Sequence, residues 1–334
     1  MKIKKYLALF LIVLNFSLLL VGCSSGKDQE EGKLETVDLV LDWYPNAIHT
    51  FIYTAEKNGY FEEEGLKVNI QFPSSTNDAL SLAAAGKADV GIYYIHNIIE
   101  TNVEQNVPIR SIGSITQGPL TIFNSLKESN ITSPKDLVGK TVGTGSEMSE
   151  KIIKYMMKSQ GLDENSVSFV DIGFDHLSAL TTGNVDATFG SMVNHEVPQL
   201  EKEGFEVNYF FPTDYGMPNY YEMSFITGEK QLEEESDKLI KFMRACKKGF
   251  EDVKANPEEA LDYLFEKQNA ENFPLDRGVE TKSLEILLPI MDQAGAEFLS
   301  QDIQIWQKNI DWLYENGIIS KTINAEEIVV NLAE

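Results

Sequence analysis

Ala85-Gly86-Lys87-Ala88-Asp89-Val90-Gly91 has an echo at Thr182-Gly183-Asn184-Val185-Asp186-Ala187-Thr188: both set Gly-x-x-Asp between a helical stretch and a strand. Outward from the first copy, residues 37–41, 68–72 and 88–93 read as strands by their β-branched and apolar content. Residues 49–58 read as a helix stopped by Gly59, and 77–85 as a helix capped by Asn77 and stopped by Gly86. Outward from the second copy, 140–143, 167–171 and 185–189 read as strands, with helices at 149–160 and 176–182. Strands separated by short helices imply βαβ units and a largely parallel sheet, here twice over.

Beyond Glu229 the pattern is almost wholly helical, at 231–255, 257–268, 278–288 and 303–316, with Pro257 at a first helical position after Asn256. Short crossings near 117–119 and 212–220 join the two α/β lobes, an arrangement that makes a hinge with a ligand cleft between them. The expected division is lobe 1 at 35–118 and 213–334, and lobe 2 at 119–212.

The chain's 334 residues carry 52 acidic and 28 basic side chains, a formal net charge of −24. That argues against a nucleic-acid partner, which would need clustered Lys and Arg to neutralise phosphates. Two cysteines, Cys23 and Cys246, cannot make a disulfide framework, and the four histidines show no zinc-type spacing. The N-terminus is more specific. A basic start (Lys2, Lys4, Lys5), an apolar run from Tyr6 to Val21 and the sequence Leu20-Val21-Gly22-Cys23 read as a secretory signal. A single membrane anchor is the alternative, although the run is shorter than the ~20 residues that cross a bilayer comfortably. Leu-Val-Gly-Cys resembles the bacterial lipobox, which implies a signal peptide at 1–22, lipidation of Cys23 and a polar tether at 23–34. The mature protein is then expected on the extracytoplasmic face of the cell membrane, held by lipid.

Two segments sit at strand ends, where ligands bind, and a third at the second crossing. Asp42-Trp43-Tyr44-Pro45-Asn46-Ala47-Ile48-His49 follows the first strand, and in open α/β sheets that carboxyl edge is the binding edge. An aromatic pair beside a carboxylate suits a flat heterocycle, with Trp43 stacking and Asp42 accepting from an amine. The plainer reading makes Trp43 a core anchor and Asn46 a helix cap. Asn194-His195-Glu196 follows a strand of the second lobe; capping explains Asn194 equally well. Asp214 to Glu222 is a turn-rich segment whose Tyr215, Tyr220, Tyr221 and Glu222 would face a cleft or wedge in the core. No Gly-x-Ser-x-Gly, Walker lysine or Cys/His pair is present, so no catalytic residue, metal site or cofactor is assigned.

These segments resemble a known family. Leu-Asp-Trp-Tyr-Pro-Asn-x-x-His-Thr at 41–50, the run 55–66, Met-Val-Asn-His-Glu at 192–196 and the run 214–222 are similar to ABC-transporter substrate-binding proteins of the thiamine-pyrimidine group. The resemblance implies a two-lobed periplasmic-binding-protein fold of type II and capture of hydroxymethylpyrimidine or formylaminopyrimidine. It further implies delivery to an ABC permease and its ATPase, and a protein acting as a monomer. By motif match Trp43 and Tyr215 would sandwich the ring, with Asp42, Asn46, His49, Asn194, Glu196 and Glu222 as polar contacts. Ser191-Met192-Val193 departs from the aromatics the pattern often carries before Asn-His-Glu. Other ligands considered are riboflavin and sulfonates; the carboxylates disfavour an anion. An enzyme is the rival class, because fungal pyrimidine-precursor synthases resemble the same fold. Those use pyridoxal phosphate on a lysine and a cysteine-rich iron motif, which this chain lacks.

Overall fold

The computed structural model describes residues 34–268 and 274–332. The signal segment 1–22, Cys23 and most of the 23–34 tether lie outside the described residues. Strands are β1 (Glu35–Val40), β2 (Leu66–Gln71), β3 (Val90–Tyr94), β4 (Ile109–Ser114), β5 (Thr121–Leu126), β6 (Thr141–Thr144), β7 (Ser168–Asp171), β8 (Ala187–Met192), β9 (Val207–Phe210) and β10 (Met223–Gly228). Helices are α1 (Thr50–Lys57), α2 (Tyr60–Glu63), α3 (Asp78–Ala84), α4 (Ile95–Glu104), α5 (Glu147–Ser159), α6 (His176–Thr181), α7 (Glu196–Lys202), α8 (Glu229–Ala255), α9 (Pro257–Lys267), α10 (Arg277–Met291) and α11 (Ile303–Glu315).

The strands form two five-stranded sheets of matching design, ordered β2-β1-β3-β10-β4 and β7-β6-β8-β5-β9. In each, three strands run parallel through helical crossovers, β1 beside β2 and β3, β6 beside β7 and β8. The Gly-x-x-Asp echo has one physical cause in both lobes. Asp89 Oδ2 accepts from the Asp38 amide, and its own amide donates to the Asp38 carbonyl. Asp186 Oδ2 likewise accepts from the Thr141 amide, and its amide donates to the Thr141 carbonyl. Each aspartate thus clamps the strand at the centre of its lobe's parallel trio, β1 in the first and β6 in the second.

The sheets are less parallel than the sequence implies. The chain leaves the first sheet after Ser114 and enters the second as β5, which runs antiparallel to β8 and β9. It returns after Phe210 as β10, antiparallel to β3 and β4. Chain direction reverses because a strand that has crossed a hinge arrives from the far end of the sheet. Asn77 also differs from expectation: its side chain makes no cap bond and instead accepts from the Tyr93 hydroxyl.

Helix packing completes the first lobe. A Cβ at Gly249 of α8 would lie 2.2 Å from the Phe51 carbonyl oxygen, so glycine sets how closely α8 approaches α1. Phe51, Phe225, Phe242, Phe250 and Phe298 form an aromatic core behind the sheet, and Cys246 is buried there.

Candidate functional site

The site grows from the carboxyl end of β1. Asn46 has extended backbone and caps a short 3-10 turn at Ala47–His49, its Oδ1 accepting from the Ile48 amide at 3.1 Å. His49 Nδ1 accepts from the Asn46 amide at 3.2 Å, so its Nε2 carries the hydrogen and donates to Asp42 Oδ1 at 3.0 Å. The Tyr94 hydroxyl donates to Asp42 Oδ2 at 3.0 Å. Asp, Asn and His of the motif are therefore one hydrogen-bonded loop that fixes the Asp42 carboxylate. His49 is 1% exposed and has both ring nitrogens occupied, which places it behind Asp42 rather than in the cavity.

Asp42 and Trp43 border an inner chamber of about 110 Å³ between the two sheets. Its other walls include Tyr93, Tyr94 and His96 from the first lobe, Phe174, His176 and Phe189 from the second, and Tyr220 and Glu222 from the returning segment. At roughly 10–15 Å³ per water-sized site, this space matches a small substituted ring. No lysine or arginine borders it among the described residues. Ser146 caps α5 at its rim by accepting from the Ser149 amide, leaving a helix N-terminus facing the chamber. Gly190 adopts a φ of +110° where β8 passes within contact of His176, a conformation open to glycine.

Glu222 is the second buried carboxylate of the chamber. Its Oε2 accepts from the Leu120 and Thr121 amides, both at 2.6 Å, and its Oε1 from the Thr121 hydroxyl at 2.7 Å. One side chain of the return crossing thus holds the outward crossing. Burial pushes its carboxyl above the ordinary 4.5, against the hydrogen bonds that lower it.

Glu196, Asn194 and Asn46 border a smaller side chamber of about 30 Å³ that shares Asp42 and Trp43 with the inner one. Glu196 Oε2 accepts from the Met192 amide at 2.7 Å, and its Oε1 lies 3.2 Å from His195 Nδ1. Burial opposes both charges of this pair, but their attraction outweighs it: His195 is pushed up to about 9 and Glu196 is held below its ordinary value. Asn194 does not cap α7, whose N-cap is His195; its Nδ2 donates to Ser283 of α10, a bond between the two lobes. Lys202 with Asp276 and Lys151 with Glu100 also join elements of the two lobes. Outside these chambers a vestibule of about 670 Å³ opens past Trp43, Glu196 and Glu280.

The aromatic facing Trp43 across the cleft is Phe174, with ring centres 4.3 Å apart and nearly perpendicular planes. Tyr215 lies elsewhere: it ends the 3-10 turn Pro212–Tyr215, packs edge-on against Phe210 at 5.4 Å, and does not line the chamber. Met217 and Tyr220 of the same segment do. Sequence reasoning passed over Phe174, Tyr94, His96 and His176, which stand in no motif. Their one readable signal is position after, or at the end of, a strand whose carboxyl edge binds ligands.

Two matching mixed sheets around a buried cleft define a protein of the two-lobed periplasmic-binding-protein class. Within it, the chain belongs to the NMT1/THI5-like family, whose model matches residues 46–260. It is 38% identical over 335 residues, all of both chains, to the formylaminopyrimidine-binding protein of Halalkalibacterium halodurans. A 4-amino-5-hydroxymethyl-2-methylpyrimidine phosphate synthase of Legionella pneumophila is 30% identical over 253 residues, covering 74% of this chain and 78% of that one. Among solved structures, the alkanesulfonate-binding protein of Xanthomonas axonopodis pv. citri, bound to MOPS, superposes with a TM-score of 0.69. It covers 90% of this chain and 99% of its own at 12% identity, a likeness of fold alone.

Proposed function

We propose that this chain is the extracytoplasmic substrate-binding component of an ABC importer and closes on a thiamine pyrimidine precursor, formylaminopyrimidine or hydroxymethylpyrimidine. The carrying observation is the inner chamber, ring-sized, aromatic-walled and bordered by the buried carboxylates of Asp42 and Glu222. Full-length similarity to a formylaminopyrimidine-binding protein supports the same ligand class. Carboxylates accept from an exocyclic amine, and a ring stacks on Trp43. Asp42, Trp43 and Glu222 touch the ligand in this reading; Asn46 and His49 position Asp42. Asn194 and Glu196 form the side chamber that closes over the ring. Lobe 1 is 35–118 with 213–334 and lobe 2 is 119–212, hinged at the two crossings that Glu222 ties together. Cys23 carries the lipid anchor, and a permease with its ATPase receives the ligand.

The synthase name carried by a relative favours an enzyme as the second reading. The chamber offers no lysine amine among the described residues, which weighs against a pyridoxal phosphate linkage there. Mass spectrometry of small molecules carried through purification tests the proposal. An aminopyrimidine at near-stoichiometric amount supports it; a bound sulfonate, flavin or pyridoxal phosphate overturns it.

A further inference from the structure

We infer that His96 Nδ1 is a fixed hydrogen-bond acceptor in the inner chamber, and that it selects ligands carrying a second, uncharged N–H or O–H donor. This rests on the pyrimidine reading and adds a recognition element at the first turn of α4, which no motif marks.

His96 is 6% exposed and borders the chamber. Its Nε2 lies 3.1 Å from Asn309 Oδ1. Which atom donates is decided one shell further out. Asn309 is fully buried, and its Nδ2 already donates to the carbonyls of Asn219 at 3.0 Å and Ile305 at 2.9 Å. The amide orientation is thereby set, its oxygen faces the imidazole, and Nε2 must carry the hydrogen. The Tyr220 ring, edge-on at 4.7 Å, holds the imidazole plane. Burial drives His96 down to about 4, so the ring stays neutral at physiological pH. A neutral imidazole has one donor and one acceptor, and the donor is spent. Nδ1 has no protein partner among the described residues, and the chamber is where the side chain meets open space. With the carboxylates of Asp42 and Glu222 on the same walls, the chamber presents acceptors in more than one place. A ligand with an amine at one position and a hydroxyl or amide N–H at another satisfies them; an acceptor-only group such as a sulfonate or carboxylate set against Nδ1 does not.

The experiment uses the ligand-free protein labelled with ¹⁵N-histidine, and His96→Phe, which fills the ring volume without an acceptor. The probes are 4-amino-5-hydroxymethyl-2-methylpyrimidine and 4-amino-2,5-dimethylpyrimidine, which lacks the hydroxyl. The expected result is a wild-type His96 with Nε2 protonated and Nδ1 bare, whose Nδ1 resonance moves upfield when the hydroxymethyl probe binds. His96→Phe weakens that binding about tenfold and lowers the melting temperature, because the buried Asn309 oxygen loses its donor. If the shift disappears with the dimethyl probe, the hydroxyl is the donor that His96 reads; if it persists, the amine is, and either result upholds the acceptor. Saturating binding with Nδ1 unmoved by either probe overturns the inference even if His96→Phe fails to fold. Binding of neither pyrimidine would instead fail the pyrimidine reading, and this inference with it.

Discussion

Glu222→Ala and Glu222→Gln should separate sharply, because Glu222 joins the two hinge segments through three donors. In the alanine variant the Leu120 and Thr121 amides lose a shared acceptor held at 2.6 Å, and the Thr121 hydroxyl loses one at 2.7 Å. Each buried amide left unpaired costs roughly 1–3 kcal/mol, and the hydroxyl can turn elsewhere. Removing a desolvated carboxylate gives back about 1 kcal/mol, so the net loss is roughly 1–5 kcal/mol. Glutamine keeps one oxygen where both amides point, and Thr121 can turn its hydroxyl to accept from the new amide; the expected cost is under about 1 kcal/mol. Urea unfolding followed by tryptophan fluorescence reads both. The pH dependence has a definite sign. The folded carboxyl is raised above its ordinary 4.5, so its contribution is present below that value and is lost as pH rises through the folded one. The glutamine variant should therefore gain on the wild type as pH rises above 4.5. Alanine as stable as glutamine at every pH would refute the role of Glu222 as the acceptor that ties the crossings.

Trp43→Ala, which removes an aromatic face of the cleft, should weaken aminopyrimidine binding by about ten- to a hundredfold in calorimetry with the fold intact; unchanged affinity would return Trp43 to a packing role. The stability difference between wild type and His195→Gln should be full below pH 6.5 and vanish as pH rises through about 9, since the raised imidazolium stabilises only while protonated; a flat difference would contradict the His195–Glu196 ion pair. Cys23→Ala should release the protein from membranes or stall it as an uncleaved precursor, and a processed, membrane-bound variant would end the lipoprotein reading.

What could be read in advance, and what could not, follows from local against distant causes. Gly-x-x-Asp was legible because Asp89 and Asp186 do the same local work, capping the strand beside them. The crossing strands were not. β10 is buried at all six positions and β5 at four of six, so neither shows the alternation that marks a half-exposed strand. The polar loop of Asp42, Asn46 and His49 was legible as a motif, but its division of labour was not, since only the tautomer set by the Asn46 amide shows His49 facing inward. Tyr215 and Tyr220 look alike in a string of turn residues. The geometry of the Pro212–Tyr215 turn sends the first onto Phe210 and leaves Tyr220 on the chamber wall. His96 was invisible because its meaning depends on Asn309, more than two hundred residues away.

Isothermal titration of the ligand-free protein with formylaminopyrimidine, hydroxymethylpyrimidine and an alkanesulfonate tests the central claim most directly. The account predicts saturable binding of one pyrimidine per chain and no heat from the sulfonate. Saturable sulfonate binding, with no response to either pyrimidine, would contradict it.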